Sequence, residues 1–160
     1  MAFERVQQFF IDRHLKNRIQ TFGESCATVE EAAKTIGVVP ARIAKTLTLR
    51  YDEGCMMLVM AGNATIDNKK FRHQFGMKAR MLTADEVTEM TGQTVGGVSP
   101  FAIPASIPVY IDSSIRPYET LFPACGSPYY VVELSPEEIF QYGNAVEWVD
   151  VSKEPQLVSP

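Results

Sequence analysis

Apolar residues Ile11, Leu15, Ile19 and Phe22 recur at helical spacing through a first segment that has no proline or glycine before Gly23. That spacing predicts one long amphipathic helix. Thr28 followed three residues later by Glu31 reads as a capping box for a second helix, whose buried stripe is Ala32, Ala33 and Ile36 and whose end is Gly37. Pro40 suits the first position of a short helical turn. From Lys45 to Arg50 the period changes to two, with Leu47 and Leu49 on one face and Thr46, Thr48 and Arg50 on the other. Lys45 shares the leucine face. Beyond the turn Tyr51-Asp52-Glu53-Gly54, the run Cys55 to Ala61 is apolar throughout. This predicts a strand covered on both faces, paired as a hairpin with its predecessor, at the centre of a sheet.

Asp67 can cap a helix carrying Phe71 and Phe75 and closed by Gly76, and a short strand is expected over Lys78 to Met81. Thr83 with Glu86 forms a second capping box, for a helix ended by Gly92, and Ser135-Pro136-Glu137-Glu138 forms a third. Val109 to Ile111, Glu119 to Phe122 and Tyr129 to Leu134 read as strands between these helices, with Val146 to Val151 as a last one. The resulting class is α+β, a mixed sheet with helices packed around it. At 160 residues the chain fits one domain, taken as residues 1–160 with an accessory N-terminal helix over 1–24.

An apolar share of 46% and a charged share of 21% are near globular averages, which argues against disorder. The longest apolar run, Cys55 to Ala61, is far short of the roughly 18 residues of a membrane span, and the start lacks an apolar leader core. A cytoplasmic protein with no membrane partner is expected. Cys26, Cys55 and Cys125 are an odd count without a C-x-x-C pair, which suits a reducing compartment. They read as free buried thiols, with a nucleophile as the alternative. His14 and His73 fall in charge-rich helical segments and read as surface positions. No metal-ligand spacing is visible, so neither a metal nor another cofactor is expected.

The net charge of −4 conceals an asymmetry. Residues 1–85 carry 13 Lys and Arg against 9 Asp and Glu, whereas residues 86–160 carry 2 against 10. Between Asn68 and Ala84 stand Lys69, Lys70, Arg72, Lys78 and Arg80 with no acid. Such a run suits either a polyphosphate or a solvated helix face. A protein that wraps a duplex would be basic overall, so DNA is not an expected partner, but one that grips only a nucleic-acid terminus need not be.

Two features carry candidate chemistry. A lysine on the apolar face of a strand is costly unless its ammonium finds water, a cavity or an anion. Lys45 therefore either snorkels from a frayed strand end or stands at a pocket, holding a phosphate or polarising an oxygen. In Gly96-Gly97-Val98-Ser99-Pro100, paired glycines permit positive φ and close approach, and proline sets the exit. Such a loop is either a tight turn or a cradle of N–H groups for a carbonyl oxygen or oxyanion. Dinucleotide fingerprints, the P-loop and the serine elbow are all absent.

Val39 to Leu49 (VPARIAKTLTL), Leu58 to Phe71 (LVMAGNATIDNKKF) and Met81 to Phe101, ending TGQTVGGVSPF, resemble the YbaK family. These are aminoacyl-tRNA deacylases related to the editing domain inserted in bacterial prolyl-tRNA synthetases. Val109 to Asp112 (VYID) and Ala124 to Ser127 (ACGS) continue the likeness, which covers residues 25–142. The resemblance implies a barrel-like, curved mixed sheet with helices around a pocket for the terminal adenosine and its small amino-acid ester. Lys45 matches the family's essential lysine, and Gly96, Gly97, Ser99 and Pro100 its G-x-x-x-P loop, with water or a ribose hydroxyl as attacking group. By the same likeness Thr46, Gly62, Asn63, Val98, Phe101, Asp112, Gly126 and Ser127 would contact substrate, and Arg42, Lys69, Lys70 and Arg72 the tRNA. The implied partners are the 3′ acceptor end of a mischarged tRNA, of the tRNA(Pro) type carrying cysteine, alanine or serine, and prolyl-tRNA synthetase. Asn63 replaces an aspartate common in the family, and Thr46 stands where the alanine-specific branch has asparagine. Alternative readings are a non-catalytic tRNA- or synthetase-binding module of the same fold, and a small-molecule hydrolase or a cysteine-dependent enzyme using Cys125.

Overall fold

The computed structural model describes residues 2–153; residue 1 and residues 154–160 of the expected 1–160 domain lie outside the described residues. Its helices are α1 (Ala2–Ile11), α2 (Val29–Ile36), α3 (Asn68–Phe75), α4 (Ala84–Thr91) and α5 (Pro136–Tyr142). Its strands are β1 (Ile19–Thr21), β2 (Ala44–Tyr51), β3 (Gly54–Ala61), β4 (Thr65–Ile66), β5 (Val109–Asp112), β6 (Tyr130–Val132), β7 (Glu147–Val149) and β8 (Ser152–Lys153). The fold is α+β. A mixed sheet in the order β2-β3-β5-β7 forms its frame, and the pairs β1-β6 and β4-β8 stand apart from it. No closed barrel forms among the described strands.

The apolar run takes the position its composition demands. β3 lies between β2, with which it forms an antiparallel hairpin, and β5, with which it runs parallel. Met56, Met57, Leu58, Val59 and Met60 have no exposed surface. Met57 and Val59 enter the larger core cluster, and Met56, Leu58 and Met60 enter a second with Leu49, Phe71 and Tyr110. Each such side chain stabilises the fold by roughly 1.5–3 kcal/mol, more than the ~1 kcal/mol of a helix cap. The hairpin is therefore the frame on which capped helices are hung.

The caps form locally as their residues dictate. Thr83 with Glu86 and Ser135 with Glu138 make complete capping boxes, while at Thr28 only the hydroxyl-to-Glu31 half is present. Asp67 accepts from the Lys69 and Lys70 N–H groups, and Gly37, Gly76 and Gly92 close their helices in the left-handed conformation.

The first segment departs from its periodicity. α1 stops at Ile11, His14 turns the chain at φ 61°, and Ile19–Thr21 pairs as β1 with β6. The chain turns because an extended Ile19–Thr21 satisfies its backbone on β6, with Arg18 donating to the Glu133 carbonyl and to Glu138. α1 is no appendage: Val6 and Phe10 belong to the main core, and Phe10 packs edge-on against Phe101 at 4.9 Å. The expected strands at 78–81 and 119–122 reduce to the single bridges Leu49–Met81 and Leu121–Leu134. The last strand is broken in two, β7 and β8, because between them Asp112 takes the Val151 N–H at 2.8 Å, and it also takes the Ser152 hydroxyl at 2.7 Å at the start of β8.

Candidate active site

β2 has β3 on one side only, and its outer edge is covered in patches. Ala44 N–H donates to Phe122 O, Leu82 N–H to Thr48 O, and Arg50 N–H to Arg80 O. Between those attachments the edge opens into a cavity of about 440 Å³. Lys45, Thr46, Gly96 and Val98 line it, together with an apolar wall that includes Leu82, Val87 and Phe122. Strand geometry thus brings the two features singled out in sequence to the same space, some fifty residues apart in the chain.

The Lys45 ammonium does not run to bulk solvent. It donates to the carbonyls of Ala64 at 2.5 Å and Gly62 at 3.3 Å, just past the end of β3. Burial lowers its pKa below the ordinary lysine value, and the charge of Glu30 on α2 partly opposes this. Gly62 is what allows the carbonyl to be there: a Cβ would lie 2.3 Å from Pro40 O and 2.7 Å from Val29 Cγ1. Two of the three ammonium protons are thereby directed, and the third remains for a ligand.

The loop after α4 is built by a side chain that no sequence pattern marks as functional. Gln93, only 1% exposed, accepts from the Ser99 N–H at 2.8 Å and donates to Ser99 O at 2.9 Å. Within that clamp Gly97 donates to Thr94 O and accepts from Gly126 N–H. Gly96 takes φ +100°, and a Cβ on Gly97 would lie 2.7 Å from Ser127 N, so both positions require glycine. Among the described residues the N–H groups of Gly96 and Val98 have no acceptor, and both residues line the cavity. Two such donors on a cavity that Lys45 also lines suit an oxygen that carries or develops negative charge.

Other expected contacts are placed elsewhere. The Ser99 hydroxyl points to Gln93, Phe101 is fully buried against Phe10, and Asp112 spends both carboxylate oxygens on Ser114, Val151 and Ser152. None of these side chains lines the cavity, nor do Pro100 and the exposed Asn63. Gly126 and Ser127 act behind Gly97, through its carbonyl and its close approach. Arg42 is held by Thr120 and Glu133 and lies over the Phe122 ring. Lys70 pairs with Asp150 and Ser152 O, whereas Lys69 and Arg72 are exposed on α3. His14 and His73 are exposed too. Cys125 is fully buried, which pushes its thiol up to about 12.

A family profile for the aminoacyl-tRNA editing domain matches residues 23–142, a span that holds every element of this cavity. The chain belongs to the aminoacyl-tRNA editing domain family. It is 44% identical to the uncharacterized protein YwhH of Bacillus subtilis (strain 168) over 155 residues, 96% of this chain and 99% of that one. Proline–tRNA ligase of Shouchella clausii is 32% identical over 68% of this chain, which spans only 19% of the ligase, and that of Aquifex aeolicus is 32% identical over 79%, spanning 22% of it. Among solved structures, hypothetical protein APE2540 superposes with TM-score 0.82 at 30% identity, covering 93% of this chain and 99% of that one. A protein solved as a candidate trans-editing enzyme for prolyl tRNA synthetase superposes with TM-score 0.83 at 26% identity, covering 96% and 98%. Among the described residues of this editing domain no three His, Cys, Asp or Glu side chains gather as metal ligands, and no helix is long and apolar enough to cross a membrane.

Proposed function

We propose that this editing domain is an aminoacyl-tRNA deacylase: it hydrolyses the ester joining a small amino acid, of the cysteine, alanine or serine size, to the 3′ terminus of a mischarged tRNA(Pro). The observation that carries the reading is that Lys45, Gly96 and Val98 line one cavity, the last two with N–H groups that have no acceptor among the described residues. In this mechanism the N–H pair holds the ester carbonyl and strengthens its hold as the oxygen becomes an oxyanion. Lys45 engages an oxygen of the tRNA terminus, held in place by the carbonyls of Gly62 and Ala64. Water attacks the carbonyl carbon, with the ribose hydroxyl beside the ester relaying its proton; the ester C–O bond breaks, the ribose oxygen leaves with that proton, and the amino acid is freed as its acid. No protein nucleophile is called for. The Cys125 thiol is buried and protonated far above neutral pH, and the Ser99 hydroxyl is directed away at Gln93. The reaction is proposed to be independent of metal.

The likeness to a protein solved as a candidate trans-editing enzyme for prolyl tRNA synthetase supports action in trans, on tRNA released by a synthetase, with prolyl-tRNA synthetase the proposed partner. The test is hydrolysis of a panel of mischarged tRNAs, with prolyl-tRNA(Pro) as the control that must survive, with and without synthetase and with and without EDTA. Turnover of at least one small aminoacyl ester, unaffected by chelator, is expected. Tight tRNA binding without any hydrolysis would instead make the chain a non-catalytic binding module.

A further inference from the structure

Thr46 lies in the cavity wall with hydrogen-bonding groups that the protein itself leaves unmatched. In a strand the N–H and C=O of one residue point the same way, and the direction alternates along the chain. Ala44, Thr48 and Arg50 direct theirs outward, away from β3, as their bonds to Phe122, Leu82 and Arg80 prove. Thr46 therefore directs its N–H and C=O outward as well, at the one place on that edge where the cavity opens. Its Oγ1 is also without a partner, the one buried side-chain polar atom so placed among the described residues. A buried hydroxyl in that state is unfavourable, and a valine of the same shape would avoid it. The oxygen is covered although the residue lines the cavity, and a χ1 rotation between staggered wells would exchange hydroxyl and methyl.

Resting on the deacylase reading above, we propose that Thr46 selects the amino acid. Its hydroxyl, rotated into the cavity, hydrogen-bonds a hydroxyl on a small side chain, so a serine-type ester is preferred to an alanine ester of nearly the same size. Most of the wall is apolar: Ala32, Ile43, Leu82, Val87 and Phe122 offer no polar side-chain atom, Cys26 offers only a thiol, and the Thr28 hydroxyl already accepts the Glu31 N–H. Thr48, on the same face, lines the cavity too but is not left with a buried unmatched oxygen, so Thr48→Val is the control expected to keep the preference. The outward C=O of Thr46 can accept from the α-ammonium group that every aminoacyl ester carries, so it orients substrates without distinguishing them. Only the side-chain hydroxyl discriminates. A thiol, a weaker donor, falls between serine and alanine.

The experiment compares kcat/KM for seryl-tRNA(Pro) and alanyl-tRNA(Pro) in wild type, Thr46→Val and Thr46→Ser, with thermal melting of each free protein. Wild type is expected to favour the seryl ester by about tenfold, the worth of one hydrogen bond relieving a buried group. Thr46→Val should bring the ratio close to one and melt no lower than wild type; Thr46→Ser should keep the preference. An unchanged ratio in Thr46→Val, no seryl preference in wild type, or a Thr46→Val protein melting well below wild type would each overturn the selection role. Hydrolysis of both esters without preference leaves the deacylase reading standing, whereas hydrolysis of neither, nor of any other ester, removes both.

Discussion

Lys45 is costly to the fold for the same reason that suits it to the proposed site. Its ammonium is half-buried and held by two carbonyls, and burial lowers its pKa. The folded protein thus releases that proton more readily than the unfolded chain does. The penalty on the charged form is present in full at neutral pH, and it is relieved as pH rises through the lowered value toward the ordinary one. Lys45→Met is accordingly expected to raise the melting temperature at pH 7, with a smaller gain at alkaline pH, while lowering deacylation by about a hundredfold or more. Melting curves at two pH values and kcat/KM on one mischarged tRNA check both halves. A variant that is less stable at pH 7, or that turns over normally, would remove the lysine from this role. The alternation of residues 45–50 already placed Lys45 on an apolar face. Whether it snorkelled to water or faced a cavity depended on Gly62 and Ala64, and no local pattern links those residues to it.

The elements around the site divide by how local their causes are. Helix caps and the hairpin are written in neighbouring residues: Thr83 and Glu86 close their box within one turn, and Asp52, at φ 52°, turns the hairpin next to Gly54. α4 brings Val87 to the cavity and is further fixed by the ion pair of Glu86 with Arg50 on β2. The loop that follows it adds to the local clamp of Gln93 on Ser99 a distant contact, Gly97 with Gly126 and Ser127. Gly97→Ala would press a methyl group into the Ser127 backbone, so the loop must shift and carry the flanking N–H groups with it. The expected result is a native-like circular dichroism spectrum with kcat reduced by about a hundredfold, the usual worth of an oxyanion donor; full activity would dissociate the loop from catalysis. Helical spacing misled at Leu15 and Ile19, because apolar residues four apart fit a helix and equally fit a turn followed by a strand that buries them singly. Only β6, more than a hundred residues later in the chain, decides between the two.

Across the molecule, charge is uneven: residues 1–85 carry 13 Lys and Arg against 9 Asp and Glu, and residues 86–160 carry 2 against 10. Of the expected tRNA contacts, Arg42 and Lys70 have protein partners, whereas Lys69 and Arg72 stand exposed on α3. If those two neutralise phosphates, the double variant Lys69→Gln/Arg72→Gln should weaken tRNA binding and lower the slope of log K against log salt by about 1–2. A slope equal to that of wild type would return both residues to an ordinary solvated helix face. The same variant leaves the amino-acid end of the cavity intact, so it separates grip on the tRNA body from choice of ester.

The sequence by itself determined whatever depends on neighbours or on periodicity: the β2–β3 hairpin with its buried second strand, the capped helices α2 to α5, and the two candidate features, Lys45 and the glycine loop. Short-range hydrogen bonds and side-chain alternation are set by adjacent residues, and they survive into the folded state. The tertiary structure decided what depends on which surfaces meet. It ended α1 at Ile11, committed Asp112, Ser99 and Phe101 to the framework, and left one stretch of the β2 edge open beside the loop. Partners distant in sequence compete for the same backbone and side-chain groups, and only the assembled fold shows which of them are satisfied within the protein and which stay available to a ligand.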